Sequence, residues 1–351
     1  MTRPCRMRRI LICRTDNIGD VVLTLPLAGY LKCHVPGARI DMLCRPYAAP
    51  VARHCRFVDR VLAPGPADDV HRTIAQGGYD TVLFAFPDRK LAQAAKRAGI
   101  PNRVGTAHRP FHWLTCNRLA WFSRARSSLH EAQLNFALLR PLGMDVLPSL
   151  RELPAYYGLS APHDDRVTAL RQPGRRHVIL HPKSNNNGRE WPLDHYLCLA
   201  RGLAAHPGMH FWVTGSAAEG RFLREQAPGL LTLPNVSDLC GRFDLDGLAA
   251  LIGAADGLVA SGTGPLHLAA ALGRPTLGLF PPLPPMHPGR WGALGTRARV
   301  LCRPRACNGC PDAAACACMR AITPDLVRQV LLEWMDDPAA TVPVRHGFGM
   351  P

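Results

Sequence analysis

The segment Ser261-Gly-Thr-Gly-Pro-Leu-His-Leu-Ala-Ala-Ala-Leu-Gly273 sets a glycine-rich turn between an apolar run, Gly257-Leu-Val-Ala260, and a helix-forming stretch, Leu266 to Leu272. Gly273 stands where such a helix stops. The order strand, glycine turn, helix constrains the chain strongly, because it is the building unit of a parallel sheet wrapped in helices. It also prepares an anion site. The first N–H groups of a helix lack intrahelical acceptors, and the aligned peptide dipoles favour negative charge there. Gly262 and Gly264 let the backbone approach a ligand, Thr263 adds a hydroxyl, and His267 lies about one turn into the helix. The same residues would serve equally as a tight turn with no ligand.

The unit recurs. Arg8 to Cys13 reads as a strand, Val21 to Lys32 as a helix, and Arg39 to Leu43 and Thr81 to Phe86 as further strands. Regularity lapses after Asp145, where Pro148, Pro154 and Pro162 mark an interdomain connection. Alternation resumes with strands at His177 to Leu180, His210 to Val213, Asp256 to Ala260 and Pro275 to Phe280. Helices are expected at Leu193 to Ala205 and Glu219 to Gln226. A chain of 351 residues exceeds a single core. The expected class is α/β, with two Rossmann-like domains at residues 1–160 and 166–322 facing each other across a cleft. A helix at 323–336 could pack back on either domain, and a tail follows at 337–351. Ligands of such sheets sit outside the carboxyl ends of the strands.

The formal charge of +16 is spread along the chain, which favours anionic partners: nucleic acid, acidic lipid headgroups or phosphorylated sugars. The absence of an RNA-binding aromatic signature or an arginine-rich recognition helix argues against nucleic acid. No apolar run approaches the roughly 18 residues of a membrane span, and Ile10 to Cys13 is too short for a signal-peptide core, so a cytoplasmic location is expected. Of thirteen cysteines, several, such as Cys13, Cys44 and Cys198, occupy apolar patterns and read as reduced, buried thiols. Cys302, Cys307, Cys310, Cys316 and Cys318 form a separate cluster. Four of these thiolates could hold a structural zinc; a reduced structural loop is the alternative.

Three more polar turns follow expected strands. Arg14-Thr-Asp-Asn-Ile-Gly-Asp20 brings Asp20 to a helix start, where it is either a cap or a carboxylate able to take a proton from a sugar hydroxyl. His181-Pro-Lys-Ser-Asn-Asn-Asn-Gly-Arg-Glu-Trp191 is either a solvated loop or a diphosphate site. In the second case Lys183 and Arg189 supply charge and Ser184 a hydrogen bond. In Val213-Thr-Gly-Ser-Ala-Ala-Glu219, the glutamate either bonds a ribose hydroxyl or stabilises a helix N-terminus. Phosphate-loop, His-Glu-x-x-His and Gly-x-Ser-x-Gly motifs are absent from the sequence.

Taken in order, these motifs resemble glycosyltransferase family 9, the bacterial lipopolysaccharide heptosyltransferases. The resemblance spans roughly Arg8 to Val327. It rests on Ile18-Gly-Asp20 with Leu25-Pro26, the His181 to Trp191 loop, the Gly215 to Glu219 turn, Thr263-Gly-Pro-Leu-His267 with Ala269-Ala-Ala-Leu-Gly273, and the later Leu279-Phe-Pro281 and Trp291. It implies a GT-B architecture whose N-terminal domain binds the acceptor and whose C-terminal domain binds a nucleotide sugar, typically ADP-heptose, with inversion at the anomeric carbon. Asp20 then resembles the base. Arg189 falls where many members carry a lysine near the diphosphate, and Glu219 falls where an acidic residue meets the ribose. Thr263, Gly264 and His267 form the phosphate turn, while Gly262 replaces an aspartate common in heptosyltransferases. The implied partners are an ADP-sugar, a lipid-linked or lipopolysaccharide-type acceptor and the cytoplasmic membrane surface, and no cofactor is required. A nonenzymatic binder of anionic glycan or nucleic acid on the same fold is the alternative.

Overall fold

The computed structural model describes residues 7–184, 188–206, 208–303, 307, 309–310 and 316–336. The expected tail at 337–351 lies outside the described residues. The chain divides into two compact units, Met1–Ser160 and Ala161–Pro351.

In the first unit, β1 (Arg9–Cys13), β2 (Arg39–Leu43), β3 (Arg60–Leu62), β4 (Thr81–Phe84), β5 (Asn102–Thr106) and β6 (Arg118–Ala120) form one sheet. Its order is β3-β2-β1-β4-β5-β6, and every pairing is parallel. Ile10, Leu11 and Ile12 are all fully buried, as a central strand covered on both faces requires. On one face Leu11, Leu43, Val82 and Phe84 pack with Leu91, Ala92 and Ala95 of the helix Arg89–Arg97.

The first helix departs from expectation: two pieces, Ile18–Val22 and Leu25–His34, replace one run from Val21 to Lys32. Pro26 has no N–H to return to Val22, and Asn135 Nδ2 donates to the Leu23 carbonyl at 3.1 Å, so the ladder stops there. The proline-marked stretch after Asp145 runs up to and across the division between the units at Ser160, and its first part packs on the first unit. Its short 3₁₀ turn Leu153–Tyr156 crosses the helix Leu25–His34, and a Cβ on Gly29 would lie 2.1 Å from the Tyr156 carbonyl oxygen.

The second unit repeats the plan with β7 (Arg176–His181), β8 (Met209–Val213), β9 (Val236–Asp238), β10 (Gly257–Ser261), β11 (Thr276–Phe280) and β12 (Ala298–Cys302). The order is β12-β11-β10-β7-β8-β9, again parallel throughout. Its core joins Val178, Phe211, Val259 and Leu277 to Trp191, Tyr196 and Leu199. The C-terminal helix Pro324–Asp336 packs in this unit, against Leu193–Gly202. Gly257 makes room for it, since a Cβ there would meet Trp334 at 2.5 Å. The twelve described cysteines are free; Cys13 and Cys44 are buried as expected, but Cys198 is exposed on the outer side of its helix.

Each sheet begins in its middle. The chain adds strands to one side of β1 and then to the other, so the winding reverses between β1 and β4, and in the second unit between β7 and β10. The carboxyl ends of those strand pairs are the topological switch points at which open α/β sheets bind ligands.

Candidate active site

At the β1/β4 switch point the loop Arg14 to Asp20 folds around a buried guanidinium. Arg14 donates from Nε to Asp16 Oδ1 at 2.7 Å, from Nη1 to Glu131 Oε1 at 3.1 Å and to the Ala85 carbonyl at 3.2 Å, and from Nη2 to Asp20 Oδ1. Arg124 reinforces the group, bonding Glu131 Oε1 at 2.9 Å and the Ala85 carbonyl at 2.9 Å. Two guanidinium groups thus face three carboxylates. Burial opposes charging Arg14, but Asp16, Asp20 and Glu131 together hold its pKa above the ordinary arginine value. Asp16 goes the other way. Burial, in which Arg14's pull is outweighed with the help of Asp20's like charge, pushes its carboxyl up to about 6.

Asp20 itself is 8% exposed and sits in the first turn of Ile18–Val22. Asn17 provides no side-chain cap, and Asp20's carboxylate turns to Arg14. Thr24 Oγ1 donates to the Asp20 carbonyl at 2.8 Å and accepts from Asn135 at 3.2 Å, which fixes the backbone beneath the carboxylate. Oδ1 is thus engaged by Arg14, which leaves Oδ2 as the other carboxylate oxygen. Asp20 is the residue the sequence singles out; Arg14, Asp16, Glu131 and Arg124, which bond around it, are not.

At the β7/β10 switch point the structure brings together two of the expected turns. Trp191 N–H donates to Ser261 Oγ at 3.1 Å, and a Cβ on Gly188 would lie 3.4 Å from the Gly262 carbonyl oxygen. Ser184 is buried, its Oγ donating to Glu190 Oε1 at 3.0 Å while its N–H reaches the same oxygen at 2.7 Å. Lys183 is ion-paired with Glu190 Oε2 and lies over the Phe222 ring, 4.3 Å from its centroid. Its charge is therefore already balanced by Glu190, a residue sequence reasoning did not single out. Arg189 is differently placed. Its Nη2 donates to the Cys310 carbonyl at 2.9 Å, while its buried Nε meets no acceptor among the described residues.

Thr263 caps the helix Gly264–Ala271, accepting the Leu266 N–H at 3.4 Å. Pro265 has no N–H, so Gly264 contributes the donor that helix geometry leaves unused. His267 is buried in the same helix. Gly262 has a steric reason: an added Cβ would lie 2.9 Å from Phe280 Cε1, and the other edge of that ring would meet a Cβ on Gly278 at 2.6 Å. The phenylalanine ring is held between two glycines. Glu219 forms a capping box with Ser216, taking its N–H on Oε2 at 2.7 Å and returning its own N–H to Ser216 Oγ at 3.2 Å. Between the two turns lies His181, buried and bonded to Thr214 Oγ1 at 2.9 Å. Burial lowers its pKa against the opposing pull of Glu219 and Glu190.

The cysteine cluster lies nearer this region than its place in the sequence suggests, because Arg189 grips the Cys310 carbonyl. Among the described residues no three His, Cys, Asp or Glu side chains come together as metal ligands. Cys302 ends β12 opposite Phe280, and Cys316 is buried in the core. Cys307 hydrogen-bonds Cys318, and burial first, then that bond, raises the Cys318 thiol to about 11.

The profile of glycosyltransferase family 9 (heptosyltransferase) matches residues 69–316. A putative glycosyltransferase of Haemophilus influenzae is 28% identical over 301 residues, covering 81% of this chain and 86% of that protein. Lipopolysaccharide heptosyltransferase 1 of Salmonella typhimurium is 26% identical, covering 84% and 94%. Among solved structures, an E. coli ADP-heptose lipopolysaccharide heptosyltransferase II superposes with a TM-score of 0.74 at 21% identity, covering 95% of this chain and 100% of that one. An E. coli heptosyltransferase with ADP gives 0.68 at 21%, covering 93% and 99%. The structural likenesses establish a shared GT-B fold. With the family profile spanning most of the chain and relatives matched nearly end to end, the chain belongs to glycosyltransferase family 9 and is a glycosyltransferase.

Proposed function

We propose that this enzyme transfers a sugar, heptose from ADP-heptose, to lipopolysaccharide core or a related lipid-linked envelope glycan, with inversion, at the cytoplasmic face of a membrane. The observation that carries the reading is the convergence at the β7/β10 switch point of Arg189 and the Gly262–Gly264 turn, donors suited to a diphosphate, beside Ser184, whose hydroxyl and N–H join them only by leaving Glu190. It is supported by the Salmonella typhimurium relative and by the E. coli structures, whose own ligands include ADP. Family membership weighs against the nonenzymatic alternative.

In this scheme the acceptor oxygen attacks the anomeric carbon opposite the diphosphate. As the new C–O bond forms, the hydroxyl proton passes to Asp20 Oδ2, and the C–O bond to the diphosphate breaks to release ADP. Arg189 and the Gly264 amide take up the leaving charge. Lys183 joins them only by loosening from Glu190, and Glu219 meets the ribose with the carboxylate whose Oε2 already caps its helix.

Thermal unfolding with ADP, ADP-heptose and a panel of UDP-sugars tests the donor, followed by transfer to a deacylated core acceptor. Stabilisation by ADP and ADP-heptose, with none by the UDP-sugars, is the expected result. Stabilisation by UDP-sugars alone would overturn the donor assignment.

A further inference from the structure

The three most exposed large apolar residues among the described ones lie within nine positions of one another in the first unit. They are Trp113 at 54%, Leu114 at 75% and Trp121 at 69% exposed. Trp113 and Leu114 sit on the short helix Pro110–Thr115, and Trp121 follows β6. The two indoles meet edge to face, with centroids 5.6 Å apart and planes at 83°. They are built features rather than loose side chains: Trp113 Nε1 donates to the Ala107 carbonyl at 2.9 Å, and Lys96 Nζ ties down the Leu114 carbonyl at 2.8 Å.

The segment that carries them is charged with one sign. From Arg89 to His130 the sequence holds nine Lys and Arg residues and no Asp or Glu. Seven of the nine are exposed, including Arg109, Arg118 and Arg126, which lie within five positions of one or other tryptophan in the sequence. Acidic partners would be met by the exposed cations of this segment, and apolar ones by the indoles and Leu114. A bilayer interface rich in anionic phospholipid offers both at once, since indole rings settle at headgroup level and basic side chains are drawn to the negative surface. No helix among the described residues is long and apolar enough to cross a membrane, so contact of this kind is made at the surface.

We infer that Trp113, Leu114 and Trp121, with the exposed Arg109, Arg118 and Arg126 of the same segment, form the face by which this protein docks on anionic phospholipid membranes. This deepens the reading of a lipid-linked acceptor and rests on it, by naming the surface that brings the first unit to that acceptor.

Sedimentation of the full-length protein with vesicles of phosphatidylcholine alone, or with about 30% phosphatidylglycerol, tests it, in low and in high salt. Wild type should bind the anionic vesicles, weakly or not at all the neutral ones, and lose binding as salt rises. The L114S/W121S variant, and separately R109E/R118E, should lose roughly tenfold or more of that partitioning. Both should keep the wild-type melting temperature and nucleotide response. Equal binding to neutral and anionic vesicles would overturn the proposal, as would wild-type partitioning by both variants. A dimer abolished by L114S/W121S, with no vesicle binding by wild type, would assign the face to a second copy instead and equally overturn it. Vesicle binding uses neither donor nor acceptor, so failure of sugar transfer alone would refute the enzymatic reading while leaving this one standing.

Discussion

Replacing Asp16 with asparagine should stabilise the protein near pH 8. The Asp16 carboxyl is 17% exposed, shares the Arg14 guanidinium with two other carboxylates and titrates at about 6 instead of its ordinary 3.8. A carboxyl with a raised folded pKa binds its proton more tightly in the folded chain than in the unfolded one. Stability is then unaffected by this group below about pH 4, declines as pH rises towards 6, and stays reduced above it. A shift of this size corresponds to about 3 kcal/mol at about 1.4 kcal/mol per unit. Asparagine keeps the oxygen that accepts from Arg14 Nε but never ionises, leaving two carboxylates opposite two guanidinium groups. For a unit of roughly 160 residues, a gain of about 3 kcal/mol raises the melting temperature by roughly 6 to 12 °C. Melts of wild type and D16N between pH 4.5 and 8 provide the assay. The gap should open with rising pH and level off above about pH 7. A D16N protein less stable than wild type at pH 8, or a gap independent of pH, would refute the reasoning.

Asp20→Asn should slow transfer by roughly 10² to 10⁴-fold while leaving ADP affinity, read by calorimetry, within a factor of about two, since the amide keeps the shape but not the base. Arg189→Ala should weaken ADP binding as well as turnover, whereas Arg189→Lys should retain part of the affinity, because the charge stays and the fork geometry is lost. Unchanged nucleotide affinity in R189A would remove Arg189 from the donor site. Gly262→Ala should destabilise the second unit by about 1–3 kcal/mol, because the new Cβ meets a Phe280 ring clamped from its other side by Gly278. Adding F280L should restore much of the loss, and a G262A variant as stable as wild type would show that the ring can move.

The parts of this fold that could be read from sequence are those written in local, apolar or glycine chemistry. The central strands β1, β4, β7 and β10 stood out because burial on both faces demands unbroken apolar runs. Four of the overlooked strands, β3, β6, β9 and β12, are the edges of their sheets, where half-burial tolerates arginine and short length; β5, interior but carrying Asn102 and Arg103, was masked by its polar residues. The same division runs through the candidate site. Its turns were visible because a close backbone approach or a helix start leaves glycine, threonine or serine at fixed offsets. The charge balance was not, because Arg14 meets Glu131 across 117 residues of sequence and Arg124 enters from beyond β6. Asp16 stands four residues before Asp20 and looked like any polar loop residue. Only the burial of one guanidinium among three carboxylates sets the two aspartates apart: one is bonded to Arg14 through a single oxygen, and its neighbour is pressed towards protonation. Substitution at Asp20 thus tests a role proposed from the motif, and substitution at Asp16 tests an electrostatic balance that exists only once the chain has folded.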